Sequence, residues 1–176
     1  GLPFDVTLDW QPLGWPLDAP QYHLEQGNLA AKGSLGQYQL TLETRASGPA
    51  IPQTAINLDA GGDLAHLDIR QLLLDMANGK LSLNGRLGWQ EGVDWQGLVA
   101  LNNLDPSFWA STLKGQVSGQ LPSHFQLQGA SWQLDAQPDL KGTLAGQPLA
   151  LSGDVALNEA LHGKVALTLE NGPNSL

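Results

Sequence analysis

LSLNGRLGWQEGVDWQGLVAL, residues 81–101, places Leu, Gly, Trp or Val at every odd-numbered position except Glu91. The even positions are mostly polar. A period of two over that length is the period of a β-strand, whose successive side chains point to opposite faces. The stretch therefore predicts a hairpin with one apolar and one solvated face, turning near Gln90-Glu91-Gly92. A three-residue loop there, with Gly92 in the left-handed position, sets Leu87 opposite Trp95, Leu83 opposite Val99 and Leu81 opposite Leu101.

The same alternation recurs along the chain. Leu113, Gly115, Val117, Gly119 and Leu121 share one parity against Lys114, Gln116, Ser118 and Gln120. Leu149, Leu151, Gly153, Val155 and Leu157 continue it, followed by Leu161, Gly163, Val165, Leu167 and Leu169. Asn78-Gly79 between alternating runs suits a two-residue type I′ turn. That turn sets Ala77 opposite Lys80, Met76 opposite Leu81 and Leu74 opposite Leu83. Gly61-Gly62 and Asn158-Glu159 are further turn candidates, so an antiparallel meander is the economical topology.

One segment breaks the pattern. In Asn103-Leu104-Asp105-Pro106-Ser107-Phe108-Trp109, Asp105 is placed to cap a helical turn that begins at Pro106. A short helical turn is expected near 105–113, packing over one end of the sheet. It divides the single β segment, 1–176, into two possible sub-repeats, 1–102 and 114–176.

Composition bounds the function. Charged residues are 14% of the chain and the formal net charge is −9, with eight Lys and Arg. They are scattered, so no basic patch exists to neutralise phosphates, which argues against nucleic acid and anionic lipid headgroups as partners. Cysteine is absent, and with it disulfides and thiolate metal sites. His23, His66, His124 and His162 lie far apart with no paired-ligand spacing, and no Gly-x-Ser-x-Gly elbow or Gly-rich phosphate loop occurs. Asp5, Asp9, Asp94 and Asp154 alternate with apolar residues, on the solvated face. The residues thus point to no enzyme and no cofactor.

Two features of the apolar face bear on its use. The chain has 34 Leu against 6 Val and 3 Ile, although β-branched residues are the ones enriched in strands. Glycine sits on the face itself, at Gly85, Gly97, Gly115, Gly119, Gly142, Gly153 and Gly163, where it permits bending or the close approach of another molecule. Periodicity alone leaves open a Leu-rich sandwich core or an open face that holds something flexible and apolar.

The order of these elements resembles the TamB family of AsmA-like proteins, the inner-membrane subunit of the bacterial translocation and assembly module. FDVTLDWQPLGWPL (4–17), NGKLSLNGRLGWQEGVDWQG (78–97), LNNLDPSFW, LKGQVSGQL, FQLQGASWQL and LKGTLAGQPLALSGDV carry the likeness, roughly over residues 4–157. The resemblance implies an elongated taco-like groove, apolar inside, in a periplasmic protein anchored in the inner membrane by a helix outside this segment. It implies a role in outer-membrane biogenesis, through phospholipid movement and outer-membrane protein assembly. The partners it implies are a TamA-like Omp85 barrel, met by other regions of the full-length protein, phospholipid acyl chains and nascent outer-membrane proteins such as autotransporters. With neither anchor nor end region recognisable, this looks like an interior or late-middle stretch. On this reading Leu81, Leu83, Leu87, Trp95, Val99, Leu101, Leu151, Val155, Leu157, Val165 and Leu167 line the groove. A chaperone groove for unfolded outer-membrane protein strands and a structural periplasmic spacer are the alternatives.

Overall fold

A computed structural model describes residues 2–16, 18–160 and 164–169, the last six by their backbone. The chain is almost wholly β: β1 (Pro3–Trp10), β2 (Leu13–Trp15), β3 (Tyr22–Leu24), β4 (Gly27–Ser34), β5 (Gln37–Gly48), β6 (Ile51–Gly62), β7 (His66–Met76), β8 (Gly79–Gly88), β9 (Val93–Leu104), β10 (Gly115–Gln128), β11 (Ser131–Ala136), β12 (Asp139–Leu144), β13 (Gln147–Asn158) and β14 (Lys164–Leu169). All belong to one antiparallel sheet.

The registers show that three of these strands are continuations. Leu8 faces Leu29 and, beyond a break at Gln11-Pro12, Leu13 faces Leu24 without loss of register, so β2 extends β1 and β3 extends β4. Likewise Ser123 faces Ala136 and Gln120 faces Asp139, so β12 extends β11 through Gln137-Pro138. Gln137 N bridges the break by donating to Pro122 O at 3.0 Å. Fourteen strands less these three leave eleven long strands in strict chain order, the expected meander. At about 4.8 Å per strand the sheet runs roughly 50 Å along its hydrogen bonds.

The 81–101 hairpin has the register its parity dictates, with Leu81 facing Leu101, Leu83 facing Val99 and Leu87 facing Trp95. The 78–79 turn is a correction. Met76 pairs Gly79, Asp75 pairs Lys80 and Leu74 pairs Leu81, so the turn residues are Ala77 and Asn78 and the register moves by two. A shift of two keeps every side chain on its face. Gly79 is taken into β8 because a neighbour needs its missing side chain: φ is +130°, and a Cβ there would strike the backbone of Asn103 and Leu104. Gly61 and Gly62 also lie inside β6 and pair Asp68 and Leu67, and the chain turns at 63–65 instead.

Parity changes within strands are absorbed by bulges. In β7, Ile69 faces Gly85 and Leu72 faces Leu83, so Arg70 and Gln71 together oppose Asn84. Leu67 and Ile69 on one side of the bulge and Leu72, Leu74 and Met76 on the other therefore share a face. In β9, Asn103, at φ +48°, plays the same part and returns Leu104 to the apolar face opposite Val117. After it comes the expected helical turn, a 3₁₀ helix at Pro106–Phe108, with Asp105 Oδ1 accepting from Ser107 N at 2.9 Å.

Glycine on the apolar face seats aromatic rings. A Cβ on Gly97 would collide with the Trp95 indole, which reaches Gly85 as well and donates from Nε1 to Ser123 Oγ at 3.0 Å. Trp10 lies against Gly27 and Tyr22 against Gly48 in the same way. Gly97→Val should therefore destabilise the chain by about 1–3 kcal/mol in urea unfolding, an overpacking cost. Trp95→Leu in the same chain should recover part of it, as a double-mutant cycle will show.

Candidate functional site

Following the registers from strand to strand gives rows of side chains that cross the sheet. One runs Leu8, Leu29, Leu42, Leu58, Leu72, Leu83, Val99 and Leu121. A second runs Thr44, Ile56, Leu74, Leu81, Leu101, Gly119, Leu140 and Leu151. A third joins Leu67, Leu87, Trp95, Phe125, Leu134 and Leu157. Val155 belongs to a fourth, with Ala136, Ser123 and Gly97.

The sheet thus brings Leu81, Leu83, Leu87, Trp95, Val99, Leu101, Leu151, Val155 and Leu157 onto one face, all half-buried. Val165 pairs Val155 and Leu167 pairs Gly153 along the backbone, but the side chains of both lie outside the described residues, as do Leu161 and Gly163 altogether. The N-terminal half supplies the same face with Leu29, Leu42, Leu58, Leu72 and Leu74, which the reading of site residues omitted. The parity of 72–76 already set Leu74 and Met76 beside β8 across the turn, though not as site residues, and the bulge at Arg70 adds Leu67 and Ile69 to the same face.

No large side chain among the described residues is fully buried, and the buried hydrophobic residues are Ala60, Val117 and Ala136. An apolar face without a second layer explains this. The accessible surface is 11573 Å². A compact protein of 18.7 kDa would expose roughly 8300 Å². The rows are therefore only half withdrawn from water.

The opposite face is a lattice of ion pairs and amides. Ser82, Asn84, Arg86, Gln116, Ser118, Ser152 and Asp154 stand on it, as their parity requires, in the registers of β8, β10 and β13, while Lys114 precedes β10 and has no place in the register. Arg86 Nε donates to Asp68 Oδ1 at 2.6 Å, Lys80 Nζ to Asp75 Oδ2 at 2.8 Å, and Arg70 Nε to Asp59 Oδ1 at 3.0 Å. His66 sits between Asp63 and Asp68, with Nδ1 at 2.9 Å from the first and Nε2 at 3.3 Å from the second. Hydrogen bonds from the Arg70 and Arg86 guanidiniums hold Asp59 and Asp68 below the usual carboxylate range. Gln126, and after it His124, does the same for Asp94. These groups are exposed, so each pair contributes little. Their role is to keep one face wet and to discourage stacking of sheets.

The chain matches the model of the family described as TamB, N-terminal domain, over residues 1–176. The chain belongs to that family. It is also similar to the translocation and assembly module subunit TamB of Haemophilus influenzae, with 28% identity over 133 residues. That alignment covers 74% of this chain and 10% of the relative, so the chain spans about a tenth of the length of that TamB. No solved structure matches it. The described residues of this TamB-family chain form one antiparallel sheet with an apolar and a charged face. Among its described residues no helix is long and apolar enough to cross a membrane.

The lowered carboxylates set the acid limit of the charged face. A carboxylate whose folded pKa lies below its unfolded value, about 3.9, stabilises the fold fully above that value and loses its effect as pH falls through the folded pKa. Unfolding free energy should hold level from pH 7 to about 4.5 and fall below about 4. Asp68→Asn should make that fall shallower, measured by urea titration at pH 2.5–5.

Proposed function

We propose that the apolar face is a groove wall along which phospholipid acyl chains pass, as one section of a periplasmic bridge that serves outer-membrane biogenesis. The observation that carries this reading is the continuity of the rows: Leu, Val and aromatic side chains succeed each other from strand to strand without a charged residue, and remain half-exposed. Monomeric proteins rarely expose more than roughly 300–600 Å² of contiguous apolar surface. An acyl chain laid on it removes that surface from water, at about 0.8 kcal/mol for each methylene buried. Leucine suits a wall along which tails slide, since it is freer in χ1 than Val or Ile. The partner proposed for the whole assembly is a TamA-like Omp85 barrel.

One observation supports a second reading, the chaperone groove. Among the described residues β1 pairs only with β4, leaving an edge whose Val6 and Leu8 are both 53% exposed. A client strand from an unfolded outer-membrane protein would add there through its backbone. The two cargoes differ in what they need, since a lipid uses the face and a strand uses the edge.

The test is a charge with two readouts. Leu83→Arg at a closed core would strand an unpaired charge and unfold the chain. On a half-open wall the guanidinium reaches water, so the β circular dichroism should persist. A photo-crosslinker at Leu83, Leu101 or Leu151 should then capture phospholipid several-fold more than one at Gln116. Equal capture on both faces, or none, contradicts the acyl-chain reading, and capture of polypeptide along β1 favours the second.

A further inference from the structure

We propose that residues 105–113 are a closed strap sealing one margin of the apolar face over β6–β9, so that apolar chains reach that face from the opposite margin. The cargo in this statement rests on the function proposed above; the strap itself does not.

In a meander the turns alternate between two margins. One carries the connections at 49–50, 77–78, 105–114 and 145–146, the other those at 35–36, 63–65, 89–92 and 129–130. All but one are short. The exception, 105–114, follows β9 and turns back toward β6. At its root Asp105 N donates to Asn78 O at 2.7 Å, and Asn78 Nδ2 returns a bond to Asp105 O at 2.8 Å. At its far end Trp109 Nε1 donates to Ala50 O at 3.0 Å, in the β5–β6 turn three strands from β9. Phe108 meets the Trp109 ring edge-to-face, with centroids 5.5 Å apart. No residue from 106 to 113 carries a charge.

Two of the buried side chains lie at the strap's margin: Thr54, on the apolar face at this end of β6, is 4% exposed, and Val117, beside the strap's other end, is 8% exposed. Ala60, at the other end of β6, is 0% exposed between Leu40 and Ile69, so the strap is assigned by its bonds to Asn78 and Ala50 and not by burial alone. The Trp109 indole, bonded at Ala50, and the Tyr22 ring, lying on Gly48, bring two aromatic lids to the same turn. At the opposite margin the turn residues Leu35 and Leu64 are 58% and 66% exposed. There Trp89 Nε1 bonds Leu64 O at 2.8 Å and links only neighbouring turns.

The native chain lacks cysteine, so Thr54→Cys is a single reporter. Its labelling by a water-soluble maleimide should be slow, and Trp109→Ala should speed it at least tenfold. Trp109→Phe, which keeps a ring but loses the N–H, should speed it at least threefold, and decides the matter if the alanine variant fails to fold by circular dichroism. Gln116→Cys, on the charged face, should react quickly in every background. An unchanged Thr54→Cys rate without Trp109 overturns the strap. In a second arm, a phosphatidylcholine with a diazirine in its acyl chain should mark Leu64 and Leu67 in the native chain, and Thr54 and Met76 as well in Trp109→Ala. Equal marking of both margins in the native chain overturns the proposal. Absence of adducts anywhere overturns the acyl-chain reading alone, and the labelling rates still judge the strap.

Discussion

An antiparallel sheet with one apolar face must cover that face with something, and the described residues of this chain form no second layer with which to do it. The alternation that makes the strands also makes the problem, because each row of Leu aligned by the ladder is a strip of oil half in water. Cross-strand neighbours relieve part of it. A pair such as Leu83 with Val99 or Trp95 with Phe125 contributes about 0.2–1 kcal/mol, and eleven strands repeat such pairs many times. The proposed function, a cargo that covers the remainder, follows from that deficit.

Where no core exists, packing is done sideways. Indoles and a phenol lie against glycines, Trp10 on Gly27 and Tyr22 on Gly48 of a neighbouring strand and Trp95 on Gly97 of its own strand and Gly85 of the next, so each of these glycines is a seat for an aromatic ring. The sequence reading took Gly85 and Gly97 as room for bending or for the close approach of another molecule. At Gly85 and Gly97 the room is filled by Trp95, whose Nε1 is satisfied by Ser123. The charged face works differently, by pairs such as Asp68 with Arg86 whose effect is local and screened.

Parity made the strands, the meander and the faces legible, because a period of two is a local property. The helical turn was legible too, since Asp105 and Pro106 are adjacent and act within three residues. What parity could not reveal depends on neighbours distant in sequence. Asn78-Gly79 reads as a turn until the backbone of Asn103 and Leu104 arrives beside Gly79 and draws it into the strand. The bulge at Arg70 is likewise invisible without Asn84 opposite it, and it is what keeps Leu67 and Ile69 on the candidate face with Leu72 and Leu74.

The chain is a TamB-family member, and the proposal adds that the apolar face of its sheet carries lipid tails. The most direct test of that suitability is native mass spectrometry of the chain purified from cells without detergent. The account predicts the bare mass together with species heavier by one or more phospholipids, the added mass leaving on mild collisional activation. A spectrum of bare monomer alone, under conditions in which an added lyso-phospholipid also fails to bind, would contradict it.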